Sequence, residues 1–256
     1  MAVRLERGGA LAELVVAAPP LNLFDRALLD ALREAVGELA ADPPRGLLLR
    51  AEGRVVSGGV DVSVFDGLSP QDAAALWREL LELVQTVEEL PLPTVFAAHA
   101  LTLTAAFELA LACDLLVAAR SARFGLVERV VGLTPSMGGP QRLAERAGAA
   151  RARELVMTGE LFDAATLERW GVVNRIFDDD GFEAAARAFA RDLAEGPTRA
   201  HAATKAIVRA VREGGARGAD AVVPELSGAL FATEDLRRAV RSFLQDGPGQ
   251  ATFDGR

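Results

Sequence analysis

The chain of 256 residues has a single cysteine, Cys113, set in an apolar run. That excludes a disulfide framework and a cysteine-based zinc site, and a reducing cytoplasm is the expected compartment. Histidine is almost as scarce. His99 and His201 lie far apart with no His-x-x-x-His pair, so no metal site is expected. No charge-free apolar run reaches the roughly 18 residues that suggest a transmembrane helix, so no membrane partner is expected. The opening stretch, MAVRLERGGALAELVVAAPP, is too charged and its apolar part too short for a signal peptide. A basic tract is missing too. Lys and Arg total 28 against 36 Asp and Glu, a net charge of −8, which argues against a nucleic-acid partner. A few Arg residues and backbone amides still suffice to hold a polyanionic small molecule. There is no low-complexity segment and no internal repeat.

What is present is apolar sequence in bulk. Half of the residues are hydrophobic, enough for a sizeable core. LAELVVAA (11–18) reads as a strand ended by Pro19 and Pro20. DRALLDALREAVGELAAD follows with Leu28, Leu29, Leu32, Val36 and Leu39 at helical spacing and Asp25 as N-cap. GLLLR (46–50) is a short buried strand. SPQDAAALWRELLELVQTVEEL places Leu76, Leu80, Leu83, Val84 and Val87 on one helical face, with Ser69 capping and Pro70 in the first turn. TVFAA and DLLVAA are further buried strands. Such alternation argues for an α/β architecture with extensive parallel pairing. Beyond residue 138 the pattern is nearly all helical. It includes DAATLERWG, capped by Asp163 and stopped by Gly171, and a last long helix expected over roughly 223–244. The expected division is an α/β core over 1–195 and a C-terminal helical layer over 196–256. In that layer Phe231, Leu236, Val240, Phe243 and Leu244 are more apolar than a lone surface layer should expose.

One stretch raises a chemical question. ALTLTAAFELALACD is small or apolar throughout except for Glu108 and the closing Asp114. A buried carboxylate without partners costs several kcal/mol, so it shifts its pKa or finds a partner. A helix is expected to begin near Thr104, with Thr102 or Thr104 capping its first turn. Twenty residues on, ARFGLVERVVGLTPSMGGPQRL carries Glu128 among apolar residues and glycines, and VVSGGVDV forms a glycine-rich loop upstream. A helix–strand–loop path can bring both acids to one pocket, where two carboxyls divide general acid and general base work. A helix start beside them offers unpaired N–H groups to an oxyanion. The bland readings also stand. A Glu usually faces water, a glycine loop is often only a turn, and His99 at a strand end is more often packed than catalytic.

These three segments, in this order and spacing, resemble the enoyl-CoA hydratase/isomerase (crotonase) family. The likeness extends through PLNLFDRALLDALREAV, MTGELFDAATLERWGVVNRIF and FATEDLRRAVRSFL. It implies a crotonase-like spiral of ββα units with a C-terminal helical trimerisation layer, assembling as a homotrimer or homohexamer. It implies an acyl-CoA thioester as substrate, with coenzyme A entering as part of that substrate and no permanently bound cofactor. Carried over by position, Val60 and Ala105 provide the two oxyanion-hole N–H groups. Glu108 and Glu128 bind a water between them; Glu108 helps to deprotonate it and Glu128 delivers a proton to the α-carbon. Gly58, Gly59, Asp61, Val62 and Ser136 fall in substrate-binding segments. The implied activity is hydration of a trans-2-enoyl-CoA. The alternatives are isomerisation, another thioester reaction on a specialised acyl group, or non-catalytic acyl-CoA binding. The sequence departs from the family pattern at His99-Ala100, where the family has Asn-Gly, and at Thr104-Ala105-Ala106, where it has three glycines. It also departs at Val127, where the family has Pro, and at Ser136, where it has Gly. The methyl groups at 104–106 imply a formed but tighter hole and a small or unusual acyl group.

Overall fold

A computed structural model describes residues 2–256. Strands β1 (Val3–Gly8) and β2 (Leu11–Val16) form an antiparallel hairpin. The chain continues through α1 (Arg26–Ala41), β3 (Gly46–Ala51), α2 (Pro70–Glu89), β4 (Thr94–Ala98), β5 (Thr102–Leu103), α3 (Ala105–Ala112), β6 (Leu115–Ala119) and β7 (Arg123–Gly125). Then come α4 (Gly139–Ala147), α5 (Ala149–Thr158), β8 (Phe162–Asp163), α6 (Ala164–Arg169), β9 (Arg175–Phe177), α7 (Phe182–Ala194), α8 (Thr198–Ala229) and α9 (Glu234–Asp246).

The main sheet has the order β1-β2-β3-β4-β6-β9, and every pairing after the first is parallel. Parallel strands covered on both faces need continuous apolar sequence, and every residue of β4 is buried. A second, three-stranded sheet has the order β5-β7-β8. Helices α1 and α2 bury the five residues apiece that helical spacing singled out. Asp25 accepts from Leu28 N at 2.7 Å and Ser69 from Asp72 N at 3.2 Å, as capping side chains should. Asp163 caps α6 in the same way, accepting from Thr166 N at 2.7 Å.

The short strands β5, β7 and β8 are not among the expected elements, and two larger elements also depart from expectation. Strand β1 has only one buried residue, Val3, so it left no apolar run to read. The single helix expected over 223–244 is broken. Helix α8 ends at Ala229, a 3₁₀ turn spans Leu230–Ala232, and Thr233 opens α9 by accepting from Leu236 N at 3.2 Å. A threonine at that position competes with helix continuation by capping a new start. The apolar spacing runs across the break and conceals it.

Candidate active site

Three segments lie side by side at the start of α3. Ser57 bridges Thr102, and Thr102 pairs with Phe124 in the β5–β7 ladder. Ser57 O accepts from Leu103 N at 3.2 Å, and Gly125 O accepts from Thr104 N at 2.9 Å. A few residues beyond each pairing stand Val60, Ala105 and Glu128. The register of three short pairings therefore brings together groups that are far apart in sequence. Val60, Ala105, Glu108, Glu128 and Ser136 line one cavity, closed over by Leu29, Phe65, Trp77 and Met137. Its free volume is about 30 Å³, room for one or two waters.

Glu108 is 2% exposed. Its Oε2 accepts from Met137 N at 2.9 Å and Gly139 N at 2.7 Å; Oε1 has no protein partner among the described residues. Burial pushes its pKa up to about 8; Gly139 N–H and Met137 N–H oppose the rise, and the charge of Glu128 adds to it. Glu128 begins the 3₁₀ turn Glu128–Val131. Its pKa is pushed up to about 7, again by burial, and its buried Oε2 has no hydrogen-bond partner. The loop that holds Glu108 is itself held. Arg142 on α4 donates to Gly138 O at 3.3 Å and to both oxygens of Glu88, at 2.7 and 3.3 Å. Arg212 of α8 donates to the same Glu88 at 2.7 Å.

Neither Val60 N–H nor Ala105 N–H has a hydrogen-bond partner among the described residues. Ala105 is the first residue of α3, where an unpaired N–H is expected. The capping expectation fails: neither threonine caps α3. Thr102 Oγ1 donates back to Ala100 O at 3.0 Å. Thr104 occupies the N-cap position at φ 47° and ψ −121° without a side-chain cap bond.

The other residues singled out from sequence lie around the cavity rather than in its wall. Gly58 N donates to Leu21 O at 2.8 Å. Gly59 has φ 109° and no room for a Cβ. Asp61 caps the 3₁₀ turn Val62–Phe65 by accepting from Ser63 N at 2.9 Å. Val62 is exposed. His99 sits elsewhere: its Nε2 lies 3.0 Å from Gly53 O in a separate cavity with Arg50 and Glu183, and burial lowers its pKa. Sequence reasoning missed Phe65, Trp77 and Met137. Trp77 adjoins Leu76 on the apolar face of α2, which reads as core, and only packing against Phe65 (ring centroids 5.5 Å apart) turns it toward the carboxylates.

The chain matches the model of the family described as enoyl-CoA hydratase/isomerase over residues 6–254. It is 32% identical over 239 residues to the "probable enoyl-CoA hydratase echA8" of Mycobacterium tuberculosis, covering 91% of this chain and 90% of that one. It is 35% identical over 204 residues to the "probable enoyl-CoA hydratase EchA17" of the same species, covering 79% and 78%. A solved enoyl-CoA hydratase of Mycobacterium smegmatis superposes with TM-score 0.89 at 26% identity over 96% of each chain. Mixed α/β strands and helices of this order thus define a crotonase fold. The chain belongs to the enoyl-CoA hydratase/isomerase family.

Proposed function

We propose that this protein adds water across the double bond of a short trans-2-enoyl-CoA. The observation that carries the reading is one water-sized cavity lined by buried Glu108, by half-buried Glu128 with its buried Oε2, and by Val60 and Ala105, whose N–H groups are unpaired among the described residues. The thioester oxygen would accept from Val60 N–H and Ala105 N–H, which stabilise the enolate oxygen as charge develops. A water between the carboxyls loses a proton to Glu108 Oε1 while its oxygen bonds the β-carbon. The α-carbon takes a proton from Glu128, and the proton on Glu108 passes back to Glu128 to restore the pair. Burial ranks Glu108 as the weaker acid. The pair's single proton therefore rests mostly on Glu108, and the reactive form is the minor one in which Glu128 Oε2 carries the proton and two N–H donors hold Glu108 Oε2 as a carboxylate. Coenzyme A enters and leaves with the acyl group, and no resident cofactor takes part.

The test is incubation with crotonyl-CoA. Loss of the conjugated thioester and a product heavier by one water support the reading. A shifted double bond at unchanged mass identifies an isomerase. No turnover, together with acyl-CoA binding, identifies a non-catalytic relative. The small cavity predicts a preference for short chains, because Phe65 and Trp77 stand in the way of longer ones.

Gly139→Ala tests the placement of Glu108. A Cβ at residue 139 would stand 2.9 Å from both Cγ and Oε2 of Glu108, closer than carbon contacts allow. The side chain must move, and kcat is expected to fall about tenfold to a hundredfold, as a misplacement of about 1 Å can cost a catalytic group. Unchanged kcat in a folded variant would remove Glu108 from the chemistry.

The helical segment 196–256 is proposed as an assembly layer. Phe231, Val240, Phe243 and Leu244 are exposed in the single chain, Leu244 at 79%. Such a face is expected to be covered by copies of the chain in a trimer or a dimer of trimers. Light scattering at micromolar concentration checks this; a stable monomer contradicts it.

A further inference from the structure

Among the described residues, two buried side-chain atoms lack a hydrogen-bond partner: Glu128 Oε2 and Thr104 Oγ1. The first belongs to the carboxyl pair. The second has no role so far. Thr104 is 6% exposed and β-branched, yet it holds φ 47°, a conformation that a branched side chain resists. The other non-glycine residue with positive φ is Asn22. Its strain is compensated, because Oδ1 accepts from Ala18 N and Nδ2 donates to the carbonyls of Glu52, Val55 and Val56. Thr104 has no such compensation. Strained residues with unmet polar groups collect at sites of function, where a ligand supplies what the fold withholds.

The position of the hydroxyl says which ligand atom. A Cβ built on Gly59 would stand 2.9 Å from Thr104 Oγ1 and 3.5 Å from Cγ2, so the threonine side chain is wedged against Gly59. The next amide along the chain from Gly59 is Val60 N–H, and the next from Thr104 is Ala105 N–H. Both are unpaired and both residues line the cavity. The hydroxyl therefore belongs to the residue before Ala105 N–H and packs against the residue before Val60 N–H, just behind the cavity wall that Val60 and Ala105 form. We propose that the Thr104 hydroxyl is a third donor to the oxygen held by Val60 N–H and Ala105 N–H, an acyl-thioester carbonyl that becomes an enolate oxygen; this rests on the hydratase reading above. The hydroxyl gives a hydrogen bond and keeps its proton, so no bond to it forms or breaks. Its donor bond strengthens as charge grows on the oxygen, which lowers the barrier rather than merely tightening binding.

The experiment compares Thr104→Val, which keeps the branched shape and removes only the hydroxyl, with Thr104→Ser, which keeps the hydroxyl. kcat and KM are measured with crotonyl-CoA, the melting temperature by calorimetry, and the enolate absorbance of bound acetoacetyl-CoA by near-ultraviolet spectroscopy. Thr104→Val is expected to lower kcat about tenfold or more with a smaller change in KM. It should weaken the enolate band and leave the melting temperature equal or higher, since a buried hydroxyl without a partner is gone. Thr104→Ser should recover most of the lost rate. If Thr104→Val keeps the parent rate, the inference falls and the hydratase reading stands. If its rate and melting temperature fall together, the hydroxyl holds a structural water and the inference falls likewise. If the parent neither hydrates crotonyl-CoA nor binds acetoacetyl-CoA, the hydratase reading falls, and this inference with it.

Discussion

Glu128→Gln and Glu108→Gln are each expected to lower kcat about a thousandfold, within the range for loss of a positioned acid or base, while both variants stay folded. Gln keeps the shape of Glu but neither gives up nor accepts the proton that hydration moves. The carboxyls contribute no stability at neutral pH; they detract from it. Burial raises them from 4.5 to about 8 for Glu108 and to about 7 for Glu128. Between pH 4.5 and those values the folded chain binds more protons than the unfolded one, so stability declines as pH rises. Their contribution is fully present below pH 4.5 and is lost as pH passes through 7 and 8. Each Gln variant should therefore melt at a higher temperature than the parent at pH 8 and show a flatter dependence on pH. The rate of the parent should peak between about pH 7 and 8, where the coupled pair holds one proton. Rates within tenfold of the parent in both variants would dismiss the two-carboxyl mechanism.

Ala105→Pro should lower kcat about a hundredfold or more, the effect of removing one oxyanion donor. Proline lacks the N–H, yet its fixed φ suits the first position of a helix, and residue 105 is the first of α3. The strain of the change falls on Thr104, since a residue before proline is restricted, so the melting temperature is measured alongside the rate. Ala105→Gly keeps the N–H and removes the methyl group. It should preserve kcat on crotonyl-CoA and extend turnover to longer or bulkier acyl groups. A folded Ala105→Pro variant with the parent rate would take that N–H out of the hole and favour a protein that binds acyl-CoA without converting it.

Much of the fold was legible because its signals are local. Apolar spacing and capping residues mark α1 and α2 within a few turns, and the buried runs at 46–50, 94–98 and 115–119 mark parallel strands. The break at Thr233 escaped notice because apolar spacing continues through it. His99 could be weighed but not located from sequence; packing sets it beside Gly53, away from the carboxyl pair. Thr104 showed the opposite failure. A threonine before a helix reads as a cap, and only its backbone conformation, set by the pairing of its N–H with Gly125 O, turns the hydroxyl toward Gly59.

By itself the sequence determined the α/β class, the order of the main elements and the presence of two carboxyls in apolar surroundings, because each depends on residues close together along the chain. The tertiary structure alone decided that Glu108 and Glu128 line one small cavity, that Phe65 and Trp77 close it, and that Val60 and Ala105, with N–H groups unpaired among the described residues, line it too. Those facts depend on the pairings of Ser57 with Thr102 and of Thr102 with Phe124. Pairings of that kind join segments distant in the chain, and their register follows from how the whole core packs rather than from any pattern within one segment.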